Sequence, residues 1–112
     1  MTAMCFVDTN VLAYAYDRDN VVKRELARQL VKQRLADQTL TISAQVLNEL
    51  VSTLLKPKFG LSLDDARRAV RALEGAPLIE LDMSLTLRAL DARARFQVSF
   101  WDGLIIAAAE RA

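Results

Sequence analysis

Three acidic side chains stand where the hydrophobic pattern of this chain changes. Asp8 ends an apolar run in "CFVDTNVLAYAYD" and is followed by Thr9 and Asn10, after which apolar residues recur at helical spacing. Glu49 lies within "SAQVLNELVSTLLK" and Asp102 within "FWDGLIIAAAERA". Gathered together, such carboxylates repel one another unless a divalent cation neutralises them. A cation so held activates water and stabilises charge developing on a phosphodiester. Thr9 and Asn10 are suited to hydrogen-bond the first carboxylate or a metal-bound water. Each acid also has a plain structural use. Asp8, Thr9 and Asn10 all cap helices well, though one helix needs only one cap. Glu49 falls opposite the apolar stripe from Val46 to Leu55, as a solvated glutamate would. Ser99-x-x-Asp102 fits a capping box with Asp in place of Glu or Gln. On local sequence both uses stay open for all three.

What the chain lacks narrows the chemistry. It has no histidine, so it cannot supply a Ser-His-Asp triad, a Cys-His pair or a His-rich zinc site. Any metal falls to carboxylates, carbonyls and water, which favour Mg²⁺ or Mn²⁺. Cys5 is the one cysteine; it reads as a buried reduced thiol, consistent with a reducing cytoplasm. No run is long and apolar enough to span a bilayer, and no signal peptide is expected at the N-terminus. A formal charge of +1 decides nothing about nucleic acid.

The elements that must position these acids follow from the pattern. At 112 residues, 53% apolar and 26% charged, the chain reads as one globular domain over residues 1–112. Short apolar runs at 4–7, 40–43 and 78–81 read as strands separated by helical sequence, the pattern of βαβ units with a parallel sheet. Between the first two, Val22, Leu26, Leu30 and Val31 are expected to share an inward helix face. The next helix begins near Gln45, and Pro57 and Gly60 mark a loop. Ser62 and Asp65 form a capping box for a helix with Ala66, Ala69, Val70 and Leu73 inward. Asp82 or Ser84 caps a helix to about Phe96, and the last helix starts near Phe100. That helix is apolar on nearly every side until Glu110, so it is expected to be buried, leaving Asp102 in need of a partner.

Asp8 and Glu49 then border one sheet edge, at the carboxyl ends of parallel strands, where open α/β sheets place ligands. The basic residues fall in patches, among them Lys23, Arg24 and Arg28, and Arg67, Arg68 and Arg71. They read as solvated helix faces that would also suit phosphate contacts. Aromatic residues are few for a base-stacking platform.

"FVDTNVLAYAYD", "ISAQVLNELVSTL" and "FWDGLIIAAAE", in that order, resemble the PIN-domain ribonucleases, especially the VapC-type toxins of bacterial toxin–antitoxin pairs. The resemblance runs from about residue 4 to the end. It implies a three-layer α/β/α fold with a short central parallel sheet. It further implies that Asp8, Glu49 and Asp102 are the catalytic, metal-binding acids, with Thr9 and Asn10 supporting them. Mg²⁺ or Mn²⁺ dependence, RNA as substrate and a cognate antitoxin as partner come with it.

In that family a further strand follows the last helix and often carries a fourth acid, whereas this sequence stops at Ala112. The domain is therefore expected to be short at its C-terminus, and a weak or inactive fragment that binds an antitoxin or itself is the alternative. Phosphotransferases of the haloacid-dehalogenase type also place an acid after strand one, but they want a second Asp where Asn10 stands. An unpaired first-strand edge and uncovered "LIIAAA" surface point to a homodimer, with Leu104, Ile105 or Ile106 near the contact.

Overall fold

The computed structural model describes residues 5–111, and of Cys5 the backbone alone. The strand position expected at Met4 and the expected burial of the Cys5 thiol lie outside the described residues. Three short strands are parallel and stand in the order β1 (Cys5–Phe6), β2 (Leu40–Ser43), β3 (Leu78–Ile79). Cys5 pairs with Leu40 and Phe6 with Thr41, while Ile42 pairs with Leu78 and Ser43 with Ile79. Val7 N–H donates to the Thr41 carbonyl and Ile42 N–H to that of Pro77, extending both ladders. Among the described residues β1 pairs on one side only.

All of β2 is buried, polar Thr41 and Ser43 included, as befits a central strand covered on both faces. Leu40 and Ile42 join Val7, Leu12, Val46, Leu50 and Leu54 in the larger core. The smaller core joins Leu85, Ala89, Leu104, Ala107 and Ala108, against which Phe6 and Ile79 pack from the sheet. Phe6 touches both cores, so helices lie on the two sides of the strands. The expected three-layer arrangement is the one observed.

The helices are α1 (Thr9–Tyr14), α2 (Val21–Ala36), α3 (Ala44–Leu54), α4 (Leu63–Arg71), α5 (Met83–Phe96) and α6 (Phe100–Arg111). Their starts follow local sequence closely. Ser43 accepts from Val46 N–H, and Ser62 and Asp65 complete the reciprocal capping box at 3.1 and 3.0 Å. Asp82 caps α5 and also grips Arg111 of α6 through both carboxylate oxygens, at 3.0 and 3.1 Å. Gly60 takes a left-handed φ of 64° after the short turn Pro57–Phe59, closing the loop before α4.

Two packing expectations need correction. On α2, Val22 and Leu26 are 70% and 61% exposed, and the buried residue is Ala27. The small Ala27 side chain faces inward, with Val31 and Leu35 one and two turns on, and Arg28 Nε donates to the Ala15 carbonyl at 2.7 Å. Small-residue docking thus fixes the rotation of α2, against the larger aliphatic residues. The start of α6 is also open: Trp101 and Asp102 are exposed, and burial begins at Gly103 and Leu104.

Candidate active site

Asp8, Glu49 and Asp102 line one cleft of about 380 Å³, together with Thr9 and Asn10. Strand β1 delivers Asp8 to the sheet's carboxyl edge, where it caps α1 by accepting Val11 N–H on Oδ1 at 3.2 Å. Cap and cleft are compatible uses because the cap occupies one carboxylate oxygen. Glu49 sits on α3, which starts directly at the end of β2. It is half-buried and held from two sides. Thr9 Oγ1 donates to its Oε2 at 3.0 Å, and Gln45 Nε2 donates to its Oε1 at 3.0 Å. A freely solvated surface glutamate would have neither constraint.

Asp102 arrives from the far side, in the first turn of α6. Only half of the expected capping box is present among the hydrogen bonds: Ser99 Oγ accepts Asp102 N–H at 3.1 Å, with no reciprocal bond from the Asp102 carboxylate. The carboxylate is exposed, so the expectation that it is buried and needs a partner does not hold. The reason lies in α6, whose inward face is Gly103, Leu104, Ala107 and Ala108, while its first residues project beyond the small core. Gly103 sets how closely α6 approaches α5: a Cβ there would lie 2.5 Å from the Ala89 carbonyl oxygen. Leu104 is consumed in the core between these helices, and Ile105 and Ile106 are half-buried, with Ile105 lining the cleft.

Gln45, Ser52 and Thr53 are participants that sequence reasoning passed over, and Ile105, expected near a contact between copies, lines the cleft as well. Their spacing was a usable signal. Gln45, Ser52 and Thr53 lie one turn either side of Glu49, and Ile105 lies one turn beyond Asp102, where helical neighbours share a face.

The donor set is carboxylate, amide and hydroxyl oxygen, the chemistry of a hard divalent cation. Among the described residues, no three Asp, Glu or Cys side chains are arranged to grip one ion directly. Mg²⁺ does not require that, since it keeps several waters and is commonly bound through one or two carboxylates. The cleft therefore fits such an ion held partly through water.

A sequence model of the PIN domain matches residues 5–112, and the chain belongs to that family. Within it, the chain is 38% identical over 71 residues to proteins named Ribonuclease VapC23 from two strains of Mycobacterium tuberculosis, CDC 1551 / Oshkosh and ATCC 25618 / H37Rv. The match covers 62% of this chain and 56% of each relative, so it spans little more than half of their length. The α/β arrangement of parallel strands between helices is accordingly the PIN-type fold.

Proposed function

We propose that this chain is a metal-dependent endoribonuclease, the toxin component of a type II toxin–antitoxin pair. The observation that carries it is the shared cleft: acids from α3, from the start of α6 and from the end of β1 face one space. Family membership and the likeness to Ribonuclease VapC23 support RNA as the substrate. Asp8, Glu49 and Asp102 would hold Mg²⁺ or Mn²⁺, which when bound supplies an activated water and charge stabilisation at the scissile phosphate. Thr9 and Gln45 hold Glu49 in place, while Asn10, Ser52 and Thr53 offer hydrogen bonds to water or the RNA backbone.

The partners are a cognate antitoxin protein and a second copy of this chain, in the cytoplasm. Self-association is supported by the exposed α5 stripe of Met83, Leu87 and Leu90. With Leu104 consumed in the core, α5 is the better candidate surface. No helix of the described residues is long and apolar enough to cross a membrane.

The test is incubation of the purified protein with single-stranded RNA in Mg²⁺ and in chelator, with Asp102→Asn run beside it. Internal cuts that need both Mg²⁺ and Asp102 are expected. Cleavage that persists in chelator or in the variant would belong to another enzyme and remove the assignment. A PIN-type chain that binds an antitoxin or itself without cutting is a second reading, for which the exposed α5 stripe of Met83, Leu87 and Leu90 would serve equally well. RNA left intact under all these conditions, with antitoxin binding retained, would select it.

A further inference from the structure

A second concavity opens beside the acidic cleft. It encloses about 370 Å³ and is lined by Gln45, Asn48, Glu49, Leu81 and Trp101. Glu49 lines both spaces, and Trp101 directly precedes Asp102, so the two adjoin. Trp101 is the only tryptophan of the chain and is 62% exposed. The core makes little use of its ring. Its position is nevertheless fixed. Phe100 meets it edge-on, with ring centroids 5.6 Å apart and planes at 65°. Gln45 Nε2 donates to the Trp101 carbonyl at 3.5 Å and to Glu49 Oε1 at 3.0 Å, linking the aromatic residue's backbone to the carboxylate.

Gln45 is itself buried, and its Oε1 has no hydrogen-bond partner among the described residues. Two donor contacts therefore hold this amide in place while its acceptor is left unsatisfied beneath the pocket. At the rim, Asn48 Nδ2 donates to the Ala44 carbonyl at 2.8 Å. That bond uses one of its hydrogens, leaving the Asn48 carbonyl oxygen and the second N–H for a ligand. An open indole face, an aliphatic wall from Leu81 and an amide edge together suit a flat heteroaromatic ring with donors and acceptors on its rim.

The geometry points to a nucleobase subsite: one base of the RNA strand stacks on Trp101 and presents its edge to Asn48, next to the phosphate held at the acidic cleft. The identity of the strand rests on the ribonuclease assignment above. Such a subsite would orient the strand and favour cutting beside bases that fill it.

Because Trp101 is the sole tryptophan, its fluorescence reports on this pocket alone. The intact protein is titrated in Mg²⁺ buffer with a short single-stranded oligoribonucleotide, read before turnover depletes it, and with an abasic oligomer of equal length. Saturable quenching by the base-bearing strand and none by the abasic one is expected. In cleavage assays Trp101→Ala should raise KM roughly 5- to 150-fold with a much smaller change in kcat. Trp101→Phe should recover most of that loss. Exposure of the ring makes both variants compatible with folding.

If RNA is cut but fluorescence does not move and Trp101→Ala leaves KM unchanged, the subsite is wrong and the ribonuclease assignment stands. Base-dependent quenching without cleavage would keep the subsite and remove the assignment. A fluorescence change that follows protein concentration instead of RNA would place Trp101 in a contact between copies and overturn the subsite. Neither quenching nor cleavage would overturn both.

Discussion

Replacing Gly103 by alanine sets two effects of opposite sign against each other. In a helix interior alanine is favoured over glycine by about 0.8–1 kcal/mol, so propensity alone predicts a more stable protein. The α5–α6 approach predicts the reverse. A Cβ on Gly103 would lie 2.5 Å from the Ala89 carbonyl oxygen, 3.3 Å from its carbonyl carbon and 3.5 Å from Arg93 N. All are backbone atoms of α5, so no rotamer change makes room. Relief to 3.0 Å, the shortest separation real Cβ atoms ordinarily show, requires the helices to part by 3.0 − 2.5 = 0.5 Å. Overpacking of this kind typically costs about 1–3 kcal/mol. The net expectation is a loss of about 1 kcal/mol in urea unfolding with an unchanged m-value. Asp102, one residue earlier on α6, moves with the helix. Since a misplacement of about 1 Å can cost about 100-fold in rate, a shift of half that size should slow cleavage on the order of 10-fold. A variant stabilised by about 0.8–1 kcal/mol, as propensity alone predicts, with unchanged cleavage would refute the close approach and its role in placing Asp102.

Asp8→Asn should abolish Mg²⁺-dependent cleavage with little change in melting, because Asn caps α1 about as well as Asp but lacks the charge; Asp8→Ala should also lose about 0.5–2 kcal/mol of stability in urea unfolding. Thr9→Val removes the hydroxyl that donates to Glu49, and should cost about 0.5–1.5 kcal/mol in denaturant unfolding and slow cleavage, since Glu49 is then held by Gln45 alone. The Arg111 guanidinium, helped by Leu85 N–H, holds the Asp82 carboxyl below its ordinary value of 3.8. Its contribution is therefore complete above that value and is lost as pH falls through the lower folded value. In unfolding followed from about pH 5 to about pH 2, Asp82→Asn should lose less stability than the parent chain, and an equal loss would contradict the ion pair's role.

Boundaries and caps were legible because they depend on neighbours in sequence. Ser62 with Asp65, and Asp82 before α5, carry their hydrogen-bond partners within one turn. The three strands and their parallel pairing followed from the alternation of short apolar runs with helices, whereas their order in the sheet did not. Side-chain facing was less legible, because it depends on what a helix meets. The larger aliphatic residues of α2 suggested one face, yet Ala27 is the buried residue, and no periodicity reveals what a helix meets. The start of α6 misled for a similar reason: an all-apolar sequence implied burial, but the first turn overhangs the α5–α6 core and leaves Trp101 and Asp102 open. The three acids were visible as residues of unusual position. What could not be read was the support around Glu49, which Thr9 reaches from a separate helix that only the fold brings near.

That Asp8, Glu49 and Asp102 together hold one divalent cation is tested most directly by titrating the metal-free protein with Mn²⁺ and following the free ion by electron paramagnetic resonance. A single saturable Mn²⁺ site per chain is predicted, displaced by Mg²⁺ and weakened in each of Asp8→Asn, Glu49→Gln and Asp102→Asn. Absence of saturable binding, or equal affinity in the parent chain and all three variants, would contradict a metal centre in this cleft.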